Sequence, residues 1–157
     1  MIFIPGNVPS SKNSKIKTKN GIFNSKTVQK YLKLHGIKGY SSRKKEIQTW
    51  KTRPCIFPFP ELYREFQDHE PPFFVGFHFV RDSRRKADFH NLVQLPADLL
   101  TAGKIIEDDD MSNFFPLPML RDGKWFSVDK NEPGFYLEVF NRVILEGGVC
   151  ECKNYEA

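Results

Sequence analysis

The stretch Pro71–Gly103 reads PPFFVGFHFVRDSRRKADFHNLVQLPADLLTAG, and its two halves follow different periodicities. In the first half apolar residues recur at every second position, so Phe73, Val75, Phe77 and Phe79 form one unbroken apolar face. The opposite face carries Phe74, Gly76, His78 and Val80. A segment apolar on both sides predicts a strand internal to a sheet, Phe73–Val80, introduced by Pro71-Pro72. In the second half Phe89, Leu92, Val93, Leu99 and Leu100 follow helical spacing, with Asp88 placed as the cap and Gly103 as the stop. Pro96 falls inside that pattern and is expected to kink the helix or restart it. The charged loop Arg81–Lys86 joins strand to helix.

Working outward, Met1–Pro5 predicts a short strand with Ile2 and Ile4 on one side. A loop rich in Pro, Ser and Asn follows, then a hairpin turning at Asn20-Gly21. Ser25 is placed to cap a helix running to about His35, with Val28, Tyr31 and Leu32 as its buried side, and Gly36 and Gly39 break it. A second, basic helix is expected at Ser42–Lys51 with Ile47 and Trp50 as core contacts. Pro54, Pro58 and Pro60 predict a loop before a short helix, Glu61–His69, anchored by Leu62 and Phe66. Beyond Gly103, Lys104–Asn113 reads as a loop with four consecutive acids. Leu117–Leu120 and Lys124–Val128 read as a hairpin around Arg121-Asp122-Gly123, and Phe135–Ile144 as a closing strand with Glu138 and Arg142 on its polar side. These elements predict one α+β domain over residues 1–145, a mixed β-sheet with packed helices, and a mobile tail at 146–157.

With 157 residues, 39% of them hydrophobic and fifteen of them Phe, the chain can build a core, which excludes wholesale disorder. No apolar run approaches the ~20 residues that span a bilayer, so no membrane partner is expected. The first residues lack the basic-then-apolar plan of a signal peptide, which predicts a cytoplasmic protein. Three cysteines, with Cys55 far from Cys150 and Cys152, argue against a disulfide framework. Charge is divided unevenly: residues 1–53 hold thirteen Lys or Arg against one acid, whereas residues 54–157 hold eleven against eighteen. A basic half joined to an acidic half suits a polyanion partner, although solvated faces would give the same imbalance.

The chemistry-bearing segment is Arg84–Asp110: a basic run, Asp88-x-His90 at a helix start, then the acids Glu107, Asp108, Asp109 and Asp110. Four adjacent carboxylates repel one another unless they are solvated, paired or bridged by a cation. Oxygen donors of this kind suit Mg²⁺ or Mn²⁺, and an imidazole is tolerable to Mn²⁺. A helix of about four turns sets its end ~24 Å from its start, so the acidic loop meets Asp88 only if the chain doubles back or bends at Pro96. The same residues would also serve as an ordinary cap, a surface histidine and a solvated acidic turn.

Arg84-Arg85-Lys86, Asp88, Asn91, the helix end Asp98-x-Leu100-x-Ala102-Gly103 and the pair Asp108-Asp109 resemble the RusA family of Holliday junction resolvases, small phage- and prophage-borne nucleases that cut four-way DNA junctions. The opening Ile4-Pro5, with Pro9-Ser10-Ser11-Lys12-Asn13, is similar to the family's N-terminal loop. Residues 38–70 have no counterpart. His90 stands where the family usually carries a second aspartate, and Gln94 where it carries a lysine. The resemblance implies a Mg²⁺-dependent endodeoxyribonuclease, bacterial or phage-encoded, acting as a homodimer on branched or four-way junction DNA. It assigns metal binding to Asp88, His90 and Asp109, with Asp108 as substitute or supporting partner, and a catalytic position to Gln94. Lys12, Asn13, Lys15, Lys17, Lys19, Arg84, Arg85 and Lys86 are expected on the DNA. The rival expectations are a junction-binding protein that has lost catalysis and a small nuclease without preference for junctions.

Overall fold

The strand expected at the centre of the sheet does form there, and the rest of the architecture follows from what pairs with it. A computed structural model describes residues 1–10, 15–19, 21–40, 47–48 and 50–140. Its elements are β1 (Ile2–Pro5), β2 (Lys15–Thr18), β3 (Gly21–Asn24), α1 (Lys26–Leu34), α2 (Phe59–Gln67), β4 (Phe73–Arg81), α3 (Phe89–Ala102), β5 (Phe114–Pro118), β6 (Phe126–Val128) and β7 (Gly134–Phe140). The protein is α+β with a mixed sheet. Strand β4 pairs antiparallel with β7 from Phe74↔Phe140 to Val80↔Gly134, and β7 pairs antiparallel with β1. On its other edge β4 pairs in parallel with β5 and, further along, with β6. Parallel neighbours need a long connection, and α3 provides it between β4 and β5.

Both faces of β4 are covered, which is why its sequence is apolar on both sides. Phe77 is fully buried, its ring 5.8–6.2 Å from those of Phe79, Phe114 and Phe135. Leu92, Val93, Leu99 and Leu100 of α3 join the same core, as do Leu62 and Phe66 of α2. Each such side chain contributes roughly 1.5–3 kcal/mol by burial. Two glycines permit close approaches. A Cβ at Gly134 would collide with the Ile4 carbonyl where β1 meets β7, and one at Gly103 would lie 2.5 Å from the Phe59 ring. Ser25 caps α1 through its hydroxyl, which accepts from the Val28 N–H at 3.4 Å. His35 ends that helix fully buried, its ring 4.5 Å from Tyr31 and 5.2 Å from Phe57.

Several expectations are corrected. Helix α3 does not restart at Pro96, which is buried within one continuous helix. The ring deletes one internal hydrogen bond, but α3 buries nine of its fourteen residues and that packing holds the helix together. Helix α2 starts at Phe59, because Pro60 in the first turn needs no N–H donor there, and it ends at Gln67 rather than His69. The hairpin expected around Arg121-Asp122-Gly123 shrinks to a single bridge, Arg121↔Lys124, while its flanks β5 and β6 both pair with β4. His78 on β4 holds both flanks: its Nδ1 donates to the Met119 carbonyl at 3.1 Å, and its Nε2 lies 2.8 Å from the Ser127 hydroxyl. Of the helix expected at Ser42–Lys51, residues 42–46 and 49 lie outside the described residues, and Ile47, Gln48, Trp50 and Lys51 are not helical. Ile47 and Trp50 do pack on the core. Within the described residues the last strand ends at Phe140; positions 141–157, with Arg142, Cys150, Cys152 and the expected tail, lie outside them. Cys55 is a free thiol that donates to the His35 carbonyl at 2.9 Å.

Candidate functional site

Helix α3 is apolar except along one line. His90, Asn91, Gln94 and Asp98 are spaced so that a helix of 3.6 residues per turn puts them on one face. His90 and Gln94 are exposed, and Asn91 and Asp98 are half-buried, whereas Leu92, Val93, Leu95, Pro96, Ala97, Leu99 and Leu100 are all buried. Asp88 heads this line at the cap position, in extended backbone. Its carboxylate does not cap the helix N–H groups, contrary to expectation; its Oδ2 accepts instead from the Asn91 side-chain amide at 2.8 Å. The carboxylate is thus oriented by the first turn and exposed to solvent. Arg84, Arg85 and Lys86 are exposed just before it, and no ion pair among the described residues engages them.

The other half of α3 is built differently. Asp98 accepts a hydrogen bond from the Tyr40 hydroxyl at 3.0 Å, across 58 residues of sequence. Burial holds the Tyr40 phenol well above its ordinary range, reinforced by the Asp98 charge and hydrogen bond and then by the Asp109 charge. Tyr40 therefore stays a donor at any working pH. Asp109 is half-buried, and its backbone N–H donates to Asp108 Oδ1 at 2.9 Å. Asp110 serves its own loop: one oxygen accepts from the Ser112 N–H, the Ser112 hydroxyl and the Asn113 amide, which holds the carboxyl below its usual range.

These positions decide which predicted residues meet. The acidic loop closes on the start of β4, where the Asn113 carbonyl accepts from the Phe73 N–H, whereas the Phe89 ring meets Phe79 six residues along that strand. Six residues of strand span about 20 Å, and the ten from Asp88 to Asp98 about 15 Å of helix. Asp88 and His90 therefore share one end of α3, and Asp109 sits with Asp98 and Tyr40 at the other. Among the described residues no three His, Cys, Asp or Glu side chains gather as a group that could hold a metal ion. Gln94 lies between the two ends, one turn before Asp98.

Lys15, Lys17 and Lys19 are exposed on the β2–β3 hairpin, a two-stranded sheet separate from the main one, while Lys12 and Asn13 lie outside the described residues. Tyr40 escaped sequence reasoning because its partner is distant in the chain. Asp98 carried a signal, as the lone charge in an otherwise apolar run from Leu95 to Ala102. Among the described residues no helix is long and apolar enough to cross a membrane. No protein-family model and no curated protein matches the chain.

Proposed function

We propose that the protein is a metal-dependent endodeoxyribonuclease acting on branched DNA, in the manner of the RusA family its sequence resembles. The observation that carries this reading is the polar line of α3, headed by an exposed, oriented carboxylate beside an exposed basic run. Mg²⁺ commonly takes one or two protein carboxylates and completes its octahedron with water and substrate phosphate, so Asp88 fits such an ion and His90 suits Mn²⁺ better. When bound, the ion supplies a bound water of lowered pKa and a positive charge at the phosphate. The chain does the rest. Asp88, oriented by Asn91, presents its exposed carboxylate toward the DNA. Gln94 donates its amide to a phosphate oxygen. Arg84, Arg85, Lys86 and the lysines of β2–β3 hold flanking phosphates, contacts that position DNA without reading sequence. Asp109 and Asp98, with Asp108 beside them, form a second anionic position further along the helix. Two matched cuts at a four-way junction call for two sites, hence a homodimer.

The deciding experiment compares cleavage of a four-way junction and a linear duplex in Mg²⁺, in Mn²⁺ and in EDTA. Metal-dependent nicking that favours the junction is the expected result, and no nicking in either metal would overturn the reading. Equal cutting of both DNAs would mean a nuclease without junction preference. The separation of Asp88 from Asp109 favours one rival specifically, a junction-binding protein without catalysis, for which junction affinity would survive with no cleavage.

A further inference from the structure

A cleft of about 320 Å³ lies between α1 and the loop that follows it. Leu32 and Ile37, each only 7% exposed, are its apolar floor. Asn24 and Gln29 form one wall, Lys33 and Lys38 stand exposed at the rim, and no acidic side chain among the described residues lines it. The cleft is held open by its own bonds. Gln29 Nε2 donates to the Asn24 carbonyl at 2.7 Å, fixing the end of β3 on α1, and the Ile37 N–H donates to the Leu32 carbonyl at 2.9 Å. Gly39, at φ +74°, bends the loop where a Cβ would press on Gln48 at 3.0 Å. Tyr40 then lines the far side of the cleft while its hydroxyl holds Asp98.

From this geometry we infer that the cleft is a subsite for one deoxynucleotide of a bound strand, its base on the Leu32–Ile37 floor against Tyr40 and its phosphates at Lys33 and Lys38. An apolar floor under a cationic rim matches the two chemistries of a nucleotide, and the volume suits one unit rather than a duplex. The surroundings supply a path. Lys15 pairs directly with Asn24 in the hairpin register, so a strand following β2–β3 meets the cleft next, and Tyr40 leads from it to Asp98. The inference rests on the proposed action on DNA and adds where a strand leaves the hairpin.

The test is binding of a short fluorescein-labelled oligothymidylate by the full chain in EDTA, so that nothing is cut. Lys33→Ala with Lys38→Ala should weaken binding severalfold and lower the salt slope by about 1.4, two contacts at roughly 0.7 each. Gln29→Trp, which plugs the cleft without altering charge, should weaken binding as well. Amide shifts of Gly36–Tyr40 on titration with the oligonucleotide should disappear in the plugged variant. Unchanged affinity and slope in both variants would overturn the inference, as would displacement of the oligonucleotide by an equal concentration of inorganic phosphate, which would mark a simple anion site. Junction cleavage by the parent is measured separately. Parent cleavage with unaltered binding in both variants sinks the cleft and leaves the nuclease standing, whereas weakened binding in both variants of a parent that binds but never cuts does the reverse.

Discussion

The two ends of α3 carry carboxylates on the same helix face in opposite circumstances. Asp88 is exposed, touched on one oxygen by Asn91, and flanked by cations that no described residue neutralises. Asp98 is half-buried, tied to the half-buried phenol of Tyr40 from a distant loop, and Asp109 acts on the same phenol. In the proposed function the first arrangement supplies the metal ligand. The second stitches the Gly36–Tyr40 loop to the core helix. One face thus divides into a working end and an anchoring end, and substitutions at the two should fail in different ways.

The largest expected effect belongs to the working end. Asp88→Asn keeps shape and removes charge, so cleavage should fall on the order of a thousandfold, beyond the ten- to hundredfold typical for the outer partners of a metal ligand. Its urea midpoint should not move, because the side chain is exposed. Cleavage at the parent rate would erase the division. Acid should next pick out the anchoring end through His35, which ends α1 just before the loop that carries Tyr40. Burial pushes the His35 imidazole down to about 4, against a smaller opposing pull from the Pro5 carbonyl. The unfolded chain takes up that proton first, so stability is full above pH ~6.5 and falls by about 3 kcal/mol as pH drops to ~4. His35→Leu should flatten that slope in urea denaturation measured between the two pH values; an identical slope would exclude His35 as its source.

A smaller effect tests the tie itself. Tyr40→Phe should cost about 2 kcal/mol, as expected for a hydrogen bond to a charged acceptor, read from the urea midpoint, with metal dependence of cleavage unchanged. A shifted metal dependence would move Asp98 to the working end. The smallest effect concerns His90. His90→Asp should shift preference from Mn²⁺ toward Mg²⁺ by a few-fold, because a carboxylate suits the harder ion. Equal rates for the parent and His90→Ala in both metals would remove His90 from the working end.

Legibility in the sequence followed the range of the interactions. The double apolar pattern of β4, the cap at Ser25 and the Asn20-Gly21 turn are local signals, and the strand, helix and hairpin they predict all form. Turn chemistry at Arg121-Asp122-Gly123 was equally readable, but a turn does not state whether its flanks pair with each other or with a third strand. Here His78, some forty residues earlier, settles that. A restart at Pro96 does not occur because local propensity yields to the apolar packing of α3. At the site, the line through His90, Gln94 and Asp98 follows from helical spacing, whereas the assignment of Asp109 to the Tyr40 end depends on how the loop returns to β4.

The interruption between β5 and β6 has a consequence for the protein in concentrated solution. An uninterrupted edge alongside β4 would display a long row of unpaired N–H and C=O groups, a template on which other chains stack. The edge is instead divided into segments of five and three residues, with the Arg121–Lys124 turn set between them. The opposite edge, β1, is four residues long and ends in Pro5, which has no N–H to offer. Short, broken or proline-ended edges are how natural sheets resist runaway strand pairing. A domain this rich in phenylalanine, with β4 at its centre, carries that protection in the outline of its sheet.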